Sequence, residues 1–188
     1  MTMTALAYAL LGAGLVLALV LLRARFASFA AQRPEDYAGT EPVFDLREHL
    51  NGPIRCEGVI YGPTGRVASR FTGDFEGRWD GDRGVMREHF KYDSGNTQDR
   101  EWRLELTGDG HVRADADDLV GTGTGRLSGA SLRLAYNIRL PQEAGGHVLS
   151  VTDWMYVTPA GVVVNRSQFR KFGIKVAELV ATLQKVKP

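Results

Sequence analysis

Cysteine is nearly absent: Cys56 stands alone in 188 residues, so the chain closes no internal disulfide and offers no thiolate metal site. An excess of charge of one sign is missing too. The formal net charge is +1, and beyond Arg33 the remaining 155 residues hold 20 bases against 22 acids. So balanced a domain has no phosphate-tracking surface, which argues against nucleic acid as a partner. The four histidines, His49, His89, His111 and His147, lie on separate segments without HxH or HxxxH spacing, so neither zinc nor haem is expected and no cofactor is implied. No GxSxG elbow, Walker loop or dinucleotide fingerprint occurs. The Gly-Thr tract at 121–125 lacks the lysine and the following helix of a phosphate loop and reads as a bulged or flexible strand. The acidic stretch at 114–118 lacks the loop glycine and terminal glutamate of a calcium site and reads as the solvated end of a strand. No catalytic residue can be named from such a chain.

One long apolar run is present. It begins at Ala5, ends at Leu22, and carries no charge over 18 residues. At helical rise it reaches roughly 27 Å, enough to cross a bilayer core. A secretory signal would have a basic segment before the run and a small-residue cleavage site directly after it. Here Arg23 and Arg25 follow instead, so an uncleaved membrane anchor is expected, with a cleaved signal or a soluble apolar helix as alternatives. The arginines on the carboxyl flank place the following domain in the cytoplasm by the positive-inside rule. Arg33-Pro34 breaks the helix, and residues 34–42 read as an extended tether. Asp45 and Glu48 form a capping box for a one-turn helix stopped by Asn51-Gly52-Pro53.

From Ile54 onward short alternating runs are separated by Gly, Pro, Asp and Asn, the punctuation of an all-β domain. Strands are predicted at 54–61, 66–79, 85–92, 100–107, 111–118, 121–127, 131–140, 148–157 and 162–169. The run at 174–186 fits an amphipathic helix through Val176, Leu179, Val180, Leu183 and Val186, and equally a closing strand through Ile174, Val176 and Val180. About eight to ten antiparallel strands in chain order point to an up-and-down β-barrel, which leaves no exposed edge.

Facing residues in a hairpin have numbers that sum to a constant, and apolar faces must coincide. The turn at 62–65 implies a sum of 127, which sets Cys56 against Phe71. A sum of 163 sets Phe75 against Glu88, and 218 sets Leu104 against Ala114 and Trp102 against Ala116. Leu132, Leu134, Tyr136, Ile138 and Leu140 supply a further inward stripe. The turn at 158–161 implies 319, bringing Asp153 opposite Arg166 with Gln168 on the same face. An acid and a guanidinium on an apolar stripe are either a self-satisfied structural pair or a clamp for an anionic headgroup. Glu88 is the other inward acid, with Tyr92 and Trp102 as its nearest partners; a one-residue slip would put it in water. Arg166, Asp153, Glu88, Tyr92, Trp102, Tyr136 and Gln168 are therefore the candidate ligand-binding residues.

The stretches 34–39 (PEDYAG), 45–53 (DLREHLNGP), 77–81 (GRWDG), 116–122 (ADDLVGT) and 153–156 (DWMY), the Tyr92-Asp93-Ser94-Gly95 turn with Thr97, Gln98 and Trp102, Asn165-Arg166 and Lys171-Phe172-Gly173 are similar to a bacterial family catalogued as domain of unknown function 3833. Its members resemble lipocalin-like barrels. The resemblance spans about residues 34–186 and implies a closing strand at the tail, an interior that holds a lipid or another apolar molecule, and, because relatives look like envelope lipoproteins or exported proteins, a periplasmic domain. That side is opposite to the one given by the arginine count. With no lipobox cysteine, the helix would replace a lipid anchor.

The expectation is then an anchor at 1–33, a tether with a short helix at 34–53, and a lipocalin-like barrel at 54–188. Its expected role is to bind a fatty-acyl or other apolar ligand at the bacterial inner membrane. An enzyme acting on lipids through Glu88, Asp153 and Arg166, or a structural envelope component with a filled barrel, are the alternatives. Exposure of Trp154, Tyr156 and Phe169 would point to a protein partner instead.

Overall fold

A computed structural model describes residues 2–186, so that Lys187 and Pro188 of the expected barrel segment lie outside it. The chain divides into two units, Met1–Asp36 and Tyr37–Pro188. The first is dominated by helix α1 (Met3–Phe26), capped by the Thr2 hydroxyl and without a buried residue. Its most apolar 18-residue window has a mean hydropathy of 2.5, so the helix is long and apolar enough to cross a membrane and equally consistent with a signal sequence. Residues 34–42 are not uniformly extended. Pro34–Tyr37 forms a 3-10 turn, with proline at the first position, where its missing N–H costs nothing.

The second unit is a closed antiparallel barrel of ten strands: β1 (Gly52–Tyr61), β2 (Val67–Asp80), β3 (Arg83–Tyr92), β4 (Thr97–Leu106), β5 (His111–Asp115), β6 (Gly123–Ser128), β7 (Ser131–Arg139), β8 (Val148–Val157), β9 (Val163–Lys171) and β10 (Ile174–Lys185). Each strand pairs with its neighbour in sequence, and β10 closes on β1 through Cys56 opposite Leu183. The tail is thus a strand. Its inward residues are Leu179, Ala181 and Leu183 rather than Ile174, Val176 and Val180, because a bulge between Lys175 and Ala177 turns the strand over.

Two expected registers hold and two shift. Phe75 faces Glu88 and Leu104 faces Ala114 as read from the turns. Both shifted hairpins have the same turn. Gly62 N–H donates to Arg66 carbonyl oxygen and Gly65 N–H to that of Gly62, with Gly65 at φ 78°; Thr158, Val162 and Gly161 repeat the pattern, with Gly161 at φ 77°. A three-residue loop closed by a left-handed glycine moves the register by one residue. In β1–β2 a second irregularity at Ile60/Tyr61 makes the shift two, so Cys56 meets Gly73 and the inward face survives. In β8–β9 nothing compensates. Asp153 therefore faces Ser167, Trp154 faces Arg166, and the inward face of β9 is inverted.

Helix α2 (Leu46–His49) closes one end of the barrel, with Asp45 accepting the Arg47 N–H at 2.9 Å as its cap. Phe44, Leu46 and Leu50 are fully buried there. Trp79 Nε1 donates to Leu50 carbonyl oxygen at 2.9 Å, and a Cβ at Gly77 would collide with that same carbonyl group, so glycine is what lets the chain cross β2 so closely. The approach to α2 is fixed by Ala130 N–H donating to the Thr40 hydroxyl and by Phe44 N–H donating to Gly129 carbonyl oxygen, both 2.9 Å. Tyr37 lies against Trp154 and Tyr156 at centroid separations of 5.3 and 5.4 Å. Trp154 is consequently buried on the outer face of β8, Tyr156 is half-buried, and Phe169 lines the interior, so none of the three is an exposed partner surface.

Candidate functional site

Inward residues of eight strands, all but β5 and β6, line a cavity of about 100 Å3. Space on that scale admits several water-sized groups or a short length of apolar chain, and is a third or less of the roughly 300 to 1,000 Å3 of a small-molecule pocket. Leu46 and Leu50 of the plug, with Phe75, Met86, Leu132 and Leu134, form part of its apolar wall. Cys56 also lines it. Burial pushes its thiol up to about 12, with the Glu88 charge adding to the effect, so at neutral pH it is a packed, protonated group rather than a nucleophile.

A polar belt crosses this apolar chamber. Glu88 lies opposite Arg100 across β3–β4, and the Trp102 side chain hydrogen-bonds it. Burial raises the Glu88 carboxyl to about 7; Arg100 opposes that rise, and Asp153 adds to it. Arg100 retains 15% of its side-chain exposure and reaches Asp118 through Nε at 3.2 Å and Nη2 at 3.1 Å. Its guanidinium stacks over Trp102 at 4.0 Å and lies 5.8 Å from the Tyr136 ring. Across the chamber, Asp153 Oδ1 accepts from Asn165 Nδ2 and from the Ser167 hydroxyl at 3.0 Å. Burial nevertheless wins over these donors and raises Asp153 to about 6. Tyr136 is also raised by burial and stays a neutral phenol. Two acids, one arginine, Asn165, Ser167 and the polar rings of Trp102 and Tyr136 thus meet in a chamber whose remaining wall is apolar.

Of the candidate residues, Asp153, Glu88, Trp102 and Tyr136 converge on this cavity. Tyr92 packs on the interior cluster next to Phe71 and Phe90, its hydroxyl donating to Gln98 at 2.8 Å. Arg166 and Gln168 do not belong here. With β9 inverted they stand on the outer face, where Arg166 Nε meets Glu178 at 2.6 Å and Gln168 donates to the same carboxylate at 3.3 Å. Lys175 joins them at 2.6 Å. The Glu178 carboxyl is buried, which alone would raise it, yet Lys175 and Arg166 hold it below the usual range. The Asp153–Arg166 clamp is therefore replaced by Asp153 with Asn165 and Ser167.

Arg100, Asp118, Asn165 and Ser167 were not singled out from the sequence. Arg100 was within reach, since it extends the Trp102–Leu104 alternation by one step on the inward side. The sequence places Asp118 at the solvated end of a strand, but the loop after β5 turns it onto Arg100. Asn165 and Ser167 depended on the glycine-closed turn. Among the described residues no group of three or more His, Cys, Asp or Glu is placed to hold a metal ion.

Comparison with known proteins agrees with the barrel. A family model described as protein of unknown function (DUF3833) matches residues 23–185. Among solved structures, the S-type phycobiliprotein lyase CPES from Guillardia theta is similar, with a TM-score of 0.55 and 8% identity over 75% of this chain and 90% of that one. Rv2717c from M. tuberculosis gives a TM-score of 0.56 and 14% identity over 79% of this chain and 99% of that one. At such identities the likeness shows the fold alone, that of a closed antiparallel lipocalin-like β-barrel. No curated protein matches the sequence.

Proposed function

The chain belongs to the DUF3833 family of proteins of unknown function, and from its own cavity we propose that it is a membrane-tethered barrel that binds a fatty-acyl or similar apolar molecule at the bacterial envelope. The supporting observation is the pairing of a leucine- and phenylalanine-lined chamber with a short polar belt. Such a chamber favours a ligand that is apolar along most of its length and polar at one end. Arg100 takes the part first assigned to Arg166. Held in place by Asp118 and Trp102, its guanidinium meets the polar end of the ligand, while Glu88, protonated for much of the time at neutral pH, donates beside it. Helix α1 supplies the tether that keeps the barrel close to a source of such molecules.

The test is native mass spectrometry with lipid extraction on the full chain purified in detergent from its own host. An acyl species should co-purify. It should be lost on Arg100→Gln and also on Ala181→Leu, which fills the chamber without touching the polar belt, with circular dichroism unchanged. A wild-type barrel that is empty, or a ligand indifferent to both substitutions, overturns the proposal.

A second reading, an enzyme on a lipid or small apolar substrate, is favoured by one observation. Glu88 near 7 and Asp153 near 6 share one chamber, so both can exchange protons at neutral pH. It requires that the bound molecule be converted, and that Glu88→Gln stop the conversion while leaving binding intact.

A further inference from the structure

The β9–β10 hairpin is joined by two residues, Phe172 and Gly173, with φ of 52° and 80°. Positive φ at both positions is the geometry of a tight primed turn, where Asn, Asp or Gly sits without strain and a bulky side chain does not. Phe172 occupies it nonetheless and is 93% exposed; Ile174, beside it, is 70% exposed. Among the described residues the ring meets the Lys171 ammonium, 5.7 Å from its centroid. A strained backbone that presents an aromatic ring to water has its compensation outside the barrel.

The barrel's connectivity places this tip on the rim opposite the α2 plug. On one side of it runs the β1–β2 turn with exposed Val67, and on the other the β7–β8 loop with exposed Val148. Arg66, Arg139, Arg170, Lys171 and Lys175 stand along the same arc. Of the acids at this end, Asp93, Asp117 and Asp118 belong to the loops across the mouth and are engaged by Arg70, Arg103 and Arg100, Glu178 on β10 is engaged by Lys175 and Arg166, and Glu143 lies in the β7–β8 loop, so the cations left to face a membrane are chiefly Arg66, Arg139 and Lys171. Apolar residues at the tip ringed by cations match a bilayer surface carrying anionic headgroups: the rings and aliphatic chains enter the acyl boundary while the basic side chains stay among the phosphates.

We propose that the Phe172–Ile174 tip, with its basic arc, is a docking lip that inserts into an anionic lipid bilayer and brings the mouth of the barrel onto the membrane. Phe169 and Leu179, on the same hairpin, already line the cavity, so the lip is continuous with the chamber wall. Docking itself does not rest on the identity of the ligand or on α1 being a membrane span.

The test uses the full chain in nanodiscs of phosphatidylcholine alone or with phosphatidylglycerol. An environment-sensitive fluorophore is placed at Ile174→Cys, since buried Cys56 does not compete for label. With phosphatidylglycerol present, its emission should shift to the blue and be quenched by doxyl-labelled lipid, whereas the same label at Val85→Cys, near the plugged end, should respond to neither. Phe172→Asn, a residue at ease in this turn, should abolish the response while leaving the fold intact. A label that stays water-like, that responds equally in pure phosphatidylcholine, or that is shielded without doxyl quenching, as a protein partner or a second copy would shield it, overturns the proposal.

Discussion

Raising the pH from about 5 to about 8 should destabilise the barrel, and Glu88 should account for about two thirds of the effect. The folded protein holds Glu88 up to about 7 and Asp153 up to about 6, against 4.5 and 3.8 for free side chains, with burial as the main cause in both. Below about pH 3 both groups are largely protonated in folded and unfolded chains alike, and neither contributes much slope. Between the free and folded values the unfolded chain loses protons that the folded chain keeps, so the folded state binds more and stability falls as pH rises. At about 1.4 kcal/mol per pK unit, each acid removes on the order of 3 kcal/mol across this window, and the loss levels off above about pH 7. Against a total stability of about 5 to 15 kcal/mol, that is a large fraction.

The carboxylates held low by partners work in the opposite sense and in a different range. Asp45, Asp93 and Glu178 are shifted down, so their contribution is present above the free carboxylate value and disappears only as pH falls below about 4. Maximum stability is therefore expected near pH 4.5 to 5, lower than is usual for a protein of balanced charge. The assay is urea unfolding of the full chain in a mild detergent, followed by tryptophan fluorescence across that pH range. Glu88→Gln should be about 3 kcal/mol less sensitive to pH than wild type, and Asp153→Asn should remove a similar part of the slope at lower pH. Equal or greater stability at pH 8 in the wild type, or an unchanged slope in Glu88→Gln, would refute the burial of these two acids.

Arg166→Ala should leave ligand content unchanged and cost only about 1 kcal/mol, because Arg166 lies half-exposed on the outer face and Lys175 still neutralises Glu178; lipid extraction and urea midpoints check both. Phe172→Asn should raise stability by about 1 kcal/mol by relieving the left-handed aromatic, read as a higher midpoint in lipid-free detergent. Gly77→Ala should lower stability by about 1 to 3 kcal/mol, since the new methyl group meets backbone at Leu50 rather than a side chain able to move. Cys56 should react with thiol reagents only as fast as the barrel opens, so its labelling rate at mildly alkaline pH should track urea concentration; rapid labelling of the folded protein would contradict its burial.

Much of the fold was legible because a barrel strand carries its own address: alternation gives the face, and Gly, Pro, Asn and Asp give the ends. The site was legible only to the parity of its turns. Sequence counting treated Gly62-Pro63-Thr64-Gly65 and Thr158-Pro159-Ala160-Gly161 alike, and the chain does fold both into the same glycine-closed loop. What differs is the irregularity at Ile60/Tyr61, which the two similar turns do not foretell. Because it makes one shift even and leaves the other odd, Cys56 kept its inward position while Arg166 and Asn165 exchanged sides. An even error in register costs a neighbour; an odd one turns a surface ion pair into a supposed ligand clamp. Arg100 marks the opposite lesson, since Trp102 and Leu104, the next two members of the inward alternation, are enough to place it inside. A lone cation on an inward stripe is better treated as the start of a search for its acid, which here is Asp118 in the following loop, and for the ring it stacks on, which here is Trp102.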